Sequence, residues 1–236
     1  MSIPQPQIAL VFHGSSASSI SCVTRHEIDK ESGLKLGKYV ELEDCISLMQ
    51  SQLSDKTISD NGIVIQPQNI LVNSREFLIW HKRSHQGEFW FRDAKRKLRF
   101  DVNYPSFLFV LDKRSSNSLS VFTLPSNSRP TLKTHLYHAP VMNVYSGGLL
   151  CLGSAVLPEN QLVPTELYLN EVESALFHSY FTHVNHAATL KAKGGVNTSQ
   201  QLMFWQKKSE SNGKIKMSEL NRYMRLGEYL KSIGCK

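Results

Sequence analysis

The residue with the most distinctive chemical surroundings in this sequence is Cys151. It follows the pair Gly147 and Gly148 and lies eleven residues after Pro140. Glycine and proline are typical of irregular surface segments, where a side chain is at least partly exposed. An exposed thiol can ionise to the thiolate, which is the nucleophilic form of cysteine. The surroundings therefore favour a reactive cysteine. The alternative interpretation is that Cys151 is a small apolar side chain packed in the core.

Cys151 lies in a stretch of about forty residues without helical or strand periodicity, a length that is usually functional inside a compact domain. Short β-rich runs precede this stretch. Turn-forming residues at 84–87 and 113–118 separate several of them, which predicts antiparallel strands that pair consecutively as a meander. Two earlier strands are predicted at 8–12 and 19–25. The predicted strands of the meander are 63–65, 76–82, 88–92, 107–111 and 119–124.

Helices are predicted on both sides of the meander, because apolar residues there recur at steps of three and four. The first begins near Glu41. The second has Thr165 as its N-cap, and two more begin near Asn197 and Ser218. The apolar stripes are Leu42, Ile46, Met49 and Leu53 in the first helix, Leu169, Val172, Leu176 and Tyr180 in the second, and Leu220, Tyr223, Leu230 and Ile233 in the last.

The spacing around the cysteine resembles the active segment of the ubiquitin-conjugating enzymes. That family has an asparagine eight residues before its cysteine, a glycine three before and a leucine one after. Here those positions are Asn143, Gly148 and Leu152, and Val-Tyr at 144–145 continues the match. The His-Pro pair that precedes the family's asparagine is replaced by Val-Met at 141–142.

Over most of its length the chain resembles a bacterial branch of this superfamily, the PRTRC system protein B family. That family is encoded in mobile-element and plasmid cassettes together with ParB-related and ThiF-related proteins. The matching segments are 107–109, 119–124, 129–131, 134–137, 139–140, 143–144, 151–153 and 179–185.

This resemblance implies an α+β, ubiquitin-conjugating-enzyme-like fold, in which an antiparallel β-meander packs against helices. The expected organisation is an N-terminal strand and helix region at 1–60, a core at 61–190 and a C-terminal helical extension at 191–236. The active segment of the core is 134–158. We expect the three regions to form one compact unit.

The resemblance also implies a thioester mechanism. Cys151 would carry the C-terminal carboxyl of a ubiquitin-like protein and yield it to an amine. The amide of Asn143 either donates to the developing oxyanion or braces the loop by bonding nearby backbone. His183 is one candidate acceptor of the amine proton and His138 is another, although isolated histidines commonly cap helices. Lesser candidates are Thr182 and Asn185.

The implied partners are a ThiF-like activating enzyme, a small ubiquitin-like protein and a metallopeptidase-like protein of the same cassette. No cofactor is expected. A rival interpretation is a catalytically silent scaffold of the same fold, in which Cys151 is only packed. No metal is expected either, because the spacings of the nearby histidines match no standard zinc site. Those histidines are His135, His138, His183 and His186.

The formal net charge of +7 and a pI of about 9.2 raise a second rival, a nucleic-acid-binding accessory protein. Part of the charge is concentrated in Lys95, Arg96, Lys97 and Arg99. The aromatic residues at 89–91 are adjacent to this cluster, as they would be in a nucleic-acid-binding surface. They are explained equally well as residues of a strand that alternate between the sheet surface and the core. A solvated basic face with weak nucleic-acid binding is therefore the expectation.

Composition places the chain among ordinary globular proteins. Apolar residues make up 41% of the 236 residues and charged residues 20%. Cys22, Cys45 and Cys235 are interpreted as structural or incidental, and four cysteines are too sparse for a disulfide framework. No apolar run reaches the roughly 20 residues of a membrane span, and the first residues do not resemble a signal peptide. We therefore expect a cytoplasmic protein.

Overall fold

The computed structural model describes residues 8–16, 19–29, 33–41, 44–45, 66–114, 118–161 and 163–235. The chain divides into two compact units, Met1–Ile63 and Val64–Lys236. The four residues predicted to form the apolar stripe of the first helix and the predicted strand at 63–65 lie outside the described residues.

The first unit contains antiparallel strands, as predicted at 8–12 and 19–25. Strand β1 (Ile8–Ser16) and strand β2 (Ser19–Asp29) form a hairpin. Strand β2 also pairs with β3 (Gly33–Leu34) and with β4 (Lys38–Val40).

The second unit is built around a six-stranded antiparallel sheet. Its order is β12-β11-β10-β9-β6-β5, so the chain returns at its end to complete one edge. The strands are β5 (Ile70–Asn73), β6 (Phe77–Lys82), β9 (Phe107–Asp112), β10 (Ser118–Thr123), β11 (His135–His138) and β12 (Arg222–Arg225).

The predicted consecutive meander is wrong at one place. Strands β7 (His85–Arg92) and β8 (Lys97–Tyr104) leave the sheet and pair with each other as a separate ribbon, so that β6 pairs directly with β9. Burial explains the difference. Strand β6 is buried on both faces from Phe77 to His81, as a central strand must be, whereas β7 alternates between buried and solvent-accessible positions. A strand with one solvent-exposed face cannot occupy a central position in a sheet whose two faces are both covered by other elements.

Helices cover both faces of the six-stranded sheet. Helix α1 (Glu166–Phe177), helix α2 (Thr198–Glu210) and the inner face of the ribbon pack on one face around Trp80, Phe109 and Trp205. The short helix α3 (Leu226–Ser232) packs on the other face. Helix α1 is fixed to the sheet by the buried carboxylate of Glu173, which accepts hydrogen bonds from Trp80 Nε1 at 2.8 Å and Lys82 Nζ at 2.6 Å.

Two of the three later helices begin where the sequence predicts. The hydroxyl of Thr165 accepts a hydrogen bond from Tyr168 N, and Asn197 forms a capping box with Gln200. Tyr180, however, lies beyond the end of α1.

The prediction of a helix from Ser218 is wrong. A short 3-10 helix (Met217–Glu219) is followed by strand β12, because Arg222 and Arg225 pair with Tyr137 and His135 of β11. The C-terminal region is therefore part of the sheet as well as a helical extension.

Candidate active site

The segment that leads to Cys151 is anchored beside strand β10. Val121 N donates to Gly148 O at 2.8 Å, and Leu150 N donates to Leu119 O at 2.8 Å. These bonds satisfy backbone groups of β10 that β11 does not reach. Buried apolar side chains hold the rest of the segment, namely Ala139, Val141, Met142, Val144 and Leu150.

Gly148 allows the segment to approach β10 closely. Its φ is +86°, and a Cβ at this position would lie 2.3 Å from Cζ of Phe122. Only glycine satisfies both conditions without displacing the buried ring. At Gly147 a Cβ would meet no atom within 4 Å. The two glycines therefore have different roles, and Gly148 is the one that sets the path of the chain.

Residues 143–151 form a small hairpin that places Cys151 opposite Asn143. Tyr145 N donates to Leu149 O at 2.9 Å, and Cys151 N donates to Asn143 O at 2.7 Å. The cysteine is half-buried as a residue, so it is not part of the fully buried core. A hydrogen bond between the Tyr145 hydroxyl and the Cys151 thiol raises the pKa of Tyr145.

Asn143 connects this hairpin to the chain after helix α1. Its φ is +58°, a left-handed conformation that asparagine tolerates better than most residues. Its Nδ2 donates to Tyr180 O at 3.0 Å, and its Oδ1 accepts from Thr182 N at 3.1 Å and Thr182 Oγ1 at 3.0 Å. Asn143 N also donates to His183 O at 3.0 Å. Both polar atoms of the side chain are thus engaged by residues 180–182.

His183 is exposed, and its Nδ1 lies 2.8 Å from Thr182 Oγ1. The Thr182 hydroxyl also lies 3.0 Å from Asn143 Oδ1, which can only accept. In the tautomer that directs the Thr182 hydrogen to Asn143, a neutral His183 ring donates from Nδ1 to Thr182 Oγ1, and its Nε2 can accept a proton. The backbone connects this histidine to the cysteine. Cys151 N donates to Asn143 O, and Asn143 N donates to His183 O.

His138 has a different environment. Its ring contacts His186, with centroids 4.8 Å apart, and Tyr223, with centroids 5.0 Å apart. Burial, together with the proximity of His186, lowers the pKa of His138 to about 4. Burial also lowers the pKa of His186. The side chain of Asn185, a lesser candidate, is buried and bonds to no other residue in the described part of the chain.

Tyr145 is the residue whose contact with Cys151 the sequence reasoning missed. The Val-Tyr pair at 144–145 was part of the resemblance, but its spacing indicated no role for the hydroxyl. The other cysteines have no such environment: Cys45 is buried, Cys22 is half-buried on β2, and burial raises the pKa of Cys235. Across the described ranges, no group of three or more His, Cys, Asp or Glu residues could hold a metal ion.

In a comparison with protein-family models, residues 44–216 match prokaryotic E2 family D. The chain belongs to this family. Searches of curated proteins and of solved structures gave no match. The prokaryotic E2 family D range contains all of the candidate site residues and ends before β12 and α3. Membership indicates a conjugation-related function of the E2 type. No helix among the described residues is long and apolar enough to cross a membrane.

Proposed function

We propose that this protein accepts a ubiquitin-like protein as a thioester on Cys151 and transfers it to an amine. One observation carries the proposal: a partly exposed thiol is held at the end of a short hairpin, with a tyrosine hydroxyl on the sulfur, in a chain of prokaryotic E2 family D. A nucleophilic cysteine needs access to its electrophile and a fixed position, and the hairpin supplies both.

The reaction consists of two acyl transfers. In the first, the Cys151 thiolate attacks the thioester of the activating enzyme, a new C–S bond forms and the activating enzyme's thiolate leaves. In the second, an amine attacks the same carbonyl carbon, the C–N bond forms and the Cys151 thiolate leaves. The amine proton passes to a base.

The side chains in and around the cysteine hairpin suggest a role for each step. The Tyr145 hydroxyl donates toward sulfur and stabilises the charge that returns to it when the thiolate leaves. Nε2 of His183 is the candidate acceptor of the amine proton. Asn143 acts as a positioning residue that ties the cysteine hairpin to the histidine. His138, buried against His186, is the weaker candidate base because its pKa of about 4 makes it a poor proton acceptor.

We further propose that the partners are those of a PRTRC cassette. Resemblance of segments such as 119–124 and 179–185 to PRTRC system protein B supports this assignment. The activating enzyme would then be ThiF-like, and a small ubiquitin-like protein and a metallopeptidase-like protein would complete the set.

The test is an adduct on a non-reducing gel after incubation with the activating enzyme, ATP and the ubiquitin-like protein. We expect a thiol-sensitive adduct with the natural chain and with Cys235→Ser as the matched control. Cys151→Ser should give an adduct that resists thiol reductants, since an oxygen ester replaces the thioester. An undiminished adduct on Cys151→Ala would refute the proposal.

A further inference from the structure

The outward face of the β7–β8 ribbon carries an unusual arrangement of charges and rings. Strand alternation directs one set of its side chains into the core, including Phe89 and Phe91. The opposite set points away from the core. We define the ribbon face as Glu88, Trp90, Arg92, Lys97, Arg99 and Asp101.

Like charges lie directly opposite each other at two positions on the ribbon face. Arg92 pairs with Lys97, and Glu88 pairs with Asp101. Like charges in this position destabilise a β-ribbon unless something neutralises them. Arg99 bridges the acidic pair, with its guanidinium 2.6 Å from Glu88 and 2.9 Å from Asp101, and its single positive charge leaves one net negative charge there. Arg92 and Lys97 form no ion pair with any residue that the structure describes.

Aromatic rings fix the two arginines of this face in place. The guanidinium of Arg92 lies over the Tyr180 ring at 4.9 Å, and that of Arg99 lies over the Trp90 ring at 5.8 Å. Trp90 and Tyr180 contact each other edge to face, with centroids 6.0 Å apart. Cations and rings therefore alternate along the face, and the stacking reduces the entropy that Arg92 would lose on binding an anion.

The ribbon face is continuous with the candidate active site. Arg92 N donates to Phe181 O at 2.9 Å, and Phe181 N donates to Trp90 O at 2.7 Å. The carbonyl of Tyr180 in turn accepts the hydrogen bond from Asn143 Nδ2. A molecule bound at Arg92 would thus be held next to the residues that position the cysteine hairpin.

We propose that the ribbon face is a docking surface for a short acidic segment of a protein partner. The unneutralised cations are few: Arg92 and Lys97 of the ribbon face, and Lys95 of the adjoining turn, form no ion pair among the described residues, whereas Arg96 of that turn is paired with Asp93. Three cations match two or three carboxylates. Electrostatic binding of nucleic acid commonly involves about 6–10 phosphate contacts, and the acidic pair of Glu88 and Asp101 would repel a phosphate chain that continues along the ribbon.

The proposal goes beyond the thioester chemistry and is tested without it. Fluorescence anisotropy at low salt would measure binding of a labelled peptide of alternating glutamate and glycine, with a single-stranded oligothymidylate of equal length as a second probe. We expect the peptide to bind more tightly than the oligonucleotide, and its affinity to fall as salt is added.

Lys97→Glu is the decisive variant, because it creates an opposite-charge pair with Arg92 while leaving the Arg92–Tyr180 contact in place. We expect the melting temperature to be unchanged or higher and the peptide affinity to fall about tenfold. Lys97→Arg should keep the affinity, as should Lys193→Glu, an exposed control outside the ribbon. The proposal is overturned if the natural chain does not bind the peptide, if Lys97→Glu binds it equally well, or if the oligonucleotide binds more tightly.

Discussion

Asn143 has two possible roles, and its contacts favour one of them. An oxyanion donor needs a free N–H directed toward the reacting carbonyl. Here Nδ2 is directed to Tyr180 O, and Oδ1 accepts two bonds from Thr182. The amide therefore braces the hairpin against the chain after α1. Nδ2 carries a second hydrogen, so donation to an oxyanion through that hydrogen would leave the bond with Tyr180 in place.

Replacement of Asn143 by glycine separates these roles, because glycine keeps the left-handed backbone and removes only the amide. A brace predicts that the free energy of unfolding falls by about 1–3 kcal/mol and that thioester loading and discharge fall together. Urea unfolding and single-turnover gel assays would measure these quantities. Asn143→Ala should be less stable than Asn143→Gly by roughly 1 kcal/mol, since its backbone is also strained. Normal stability and loading with discharge slowed about a hundredfold would instead identify an oxyanion donor.

Cys151 could be selected from its surroundings of glycine and proline, whereas Asn143 could be selected only through a resemblance. The hairpin that places these two residues opposite each other was not predicted from the sequence. The sequence gap between Cys151 and His183 contains no distance information, and their connection depends on where α1 ends. The sequence also contains no information on where a hydroxyl group points. Neither the contact of Tyr145 with the thiol nor the orientation of the His183 ring could be inferred from residue types.

At the scale of elements, the approach of the active segment to β10 depends on one glycine. Gly148→Ala should lower the free energy of unfolding by at least about 2 kcal/mol, because a left-handed alanine costs about 1–2 kcal/mol and the overlap with Phe122 adds about 1–3 kcal/mol. The same variant should accelerate alkylation of Cys151, since displacement of the hairpin exposes this half-buried residue further. Urea unfolding and the rate of reaction with iodoacetamide would measure both effects.

Gly147→Ala is the matched control for this experiment. Its Cβ meets nothing within 4 Å and its backbone is not left-handed, so stability and alkylation should stay close to those of the natural chain. Equal effects of the two alanine substitutions would show that the contact with Phe122 does not set the path of the segment.

The helices marked by apolar residues at a helical spacing or by a capping residue could be predicted from the sequence. The strand that forms only by pairing with a distant strand could not. Helix α1 has both an apolar stripe and a capping residue, and helix α2 begins directly after the capping residue Asn197, so the sequence locates their first residues. Strand β12 was mistaken for helix because its four residues are too short to show a period of two. Its conformation is set by pairing with β11, about 85 residues earlier in the chain.

At the scale of the whole second unit, the elements that support the candidate site and the C-terminal segment pack on different faces of one sheet. Helices α1 and α2 and the ribbon pack on the face around Trp80 and support residues 180–183 next to the cysteine hairpin. Strand β12 and helix α3 complete the opposite side and lie outside the range matched by prokaryotic E2 family D. The C-terminal segment therefore contributes to the stability of this unit without supplying any of the candidate site residues.

Buried histidines at several places in this unit make its stability depend on pH. Burial lowers the pKa of His81, His85, His138 and His186, that of His138 to about 4, whereas an unfolded chain binds these protons near pH 6.5. The unfolded state thus binds more protons below pH 6.5, and the free energy of unfolding should fall as the pH decreases from 6.5 toward 4. The midpoints of urea unfolding at pH 7 and pH 5 would measure this loss of stability. Both pH values lie above the range in which most carboxylates titrate, so the difference reports mainly on the histidines.

His138→Gln tests the largest of these contributions. His138 faces His186 and Tyr223, so a proton on its ring would be poorly solvated and close to a second imidazole. Removing the titrating group should reduce the loss of stability between pH 7 and pH 5, even if the variant is less stable at both pH values because ring contacts are lost. His178→Gln, at an exposed position just after α1, should leave the pH dependence unchanged. If His138→Gln loses as much stability on acidification as the natural chain does, the ring of His138 must already be solvated in the folded protein, and its burial against His186 is not what disfavours the proton.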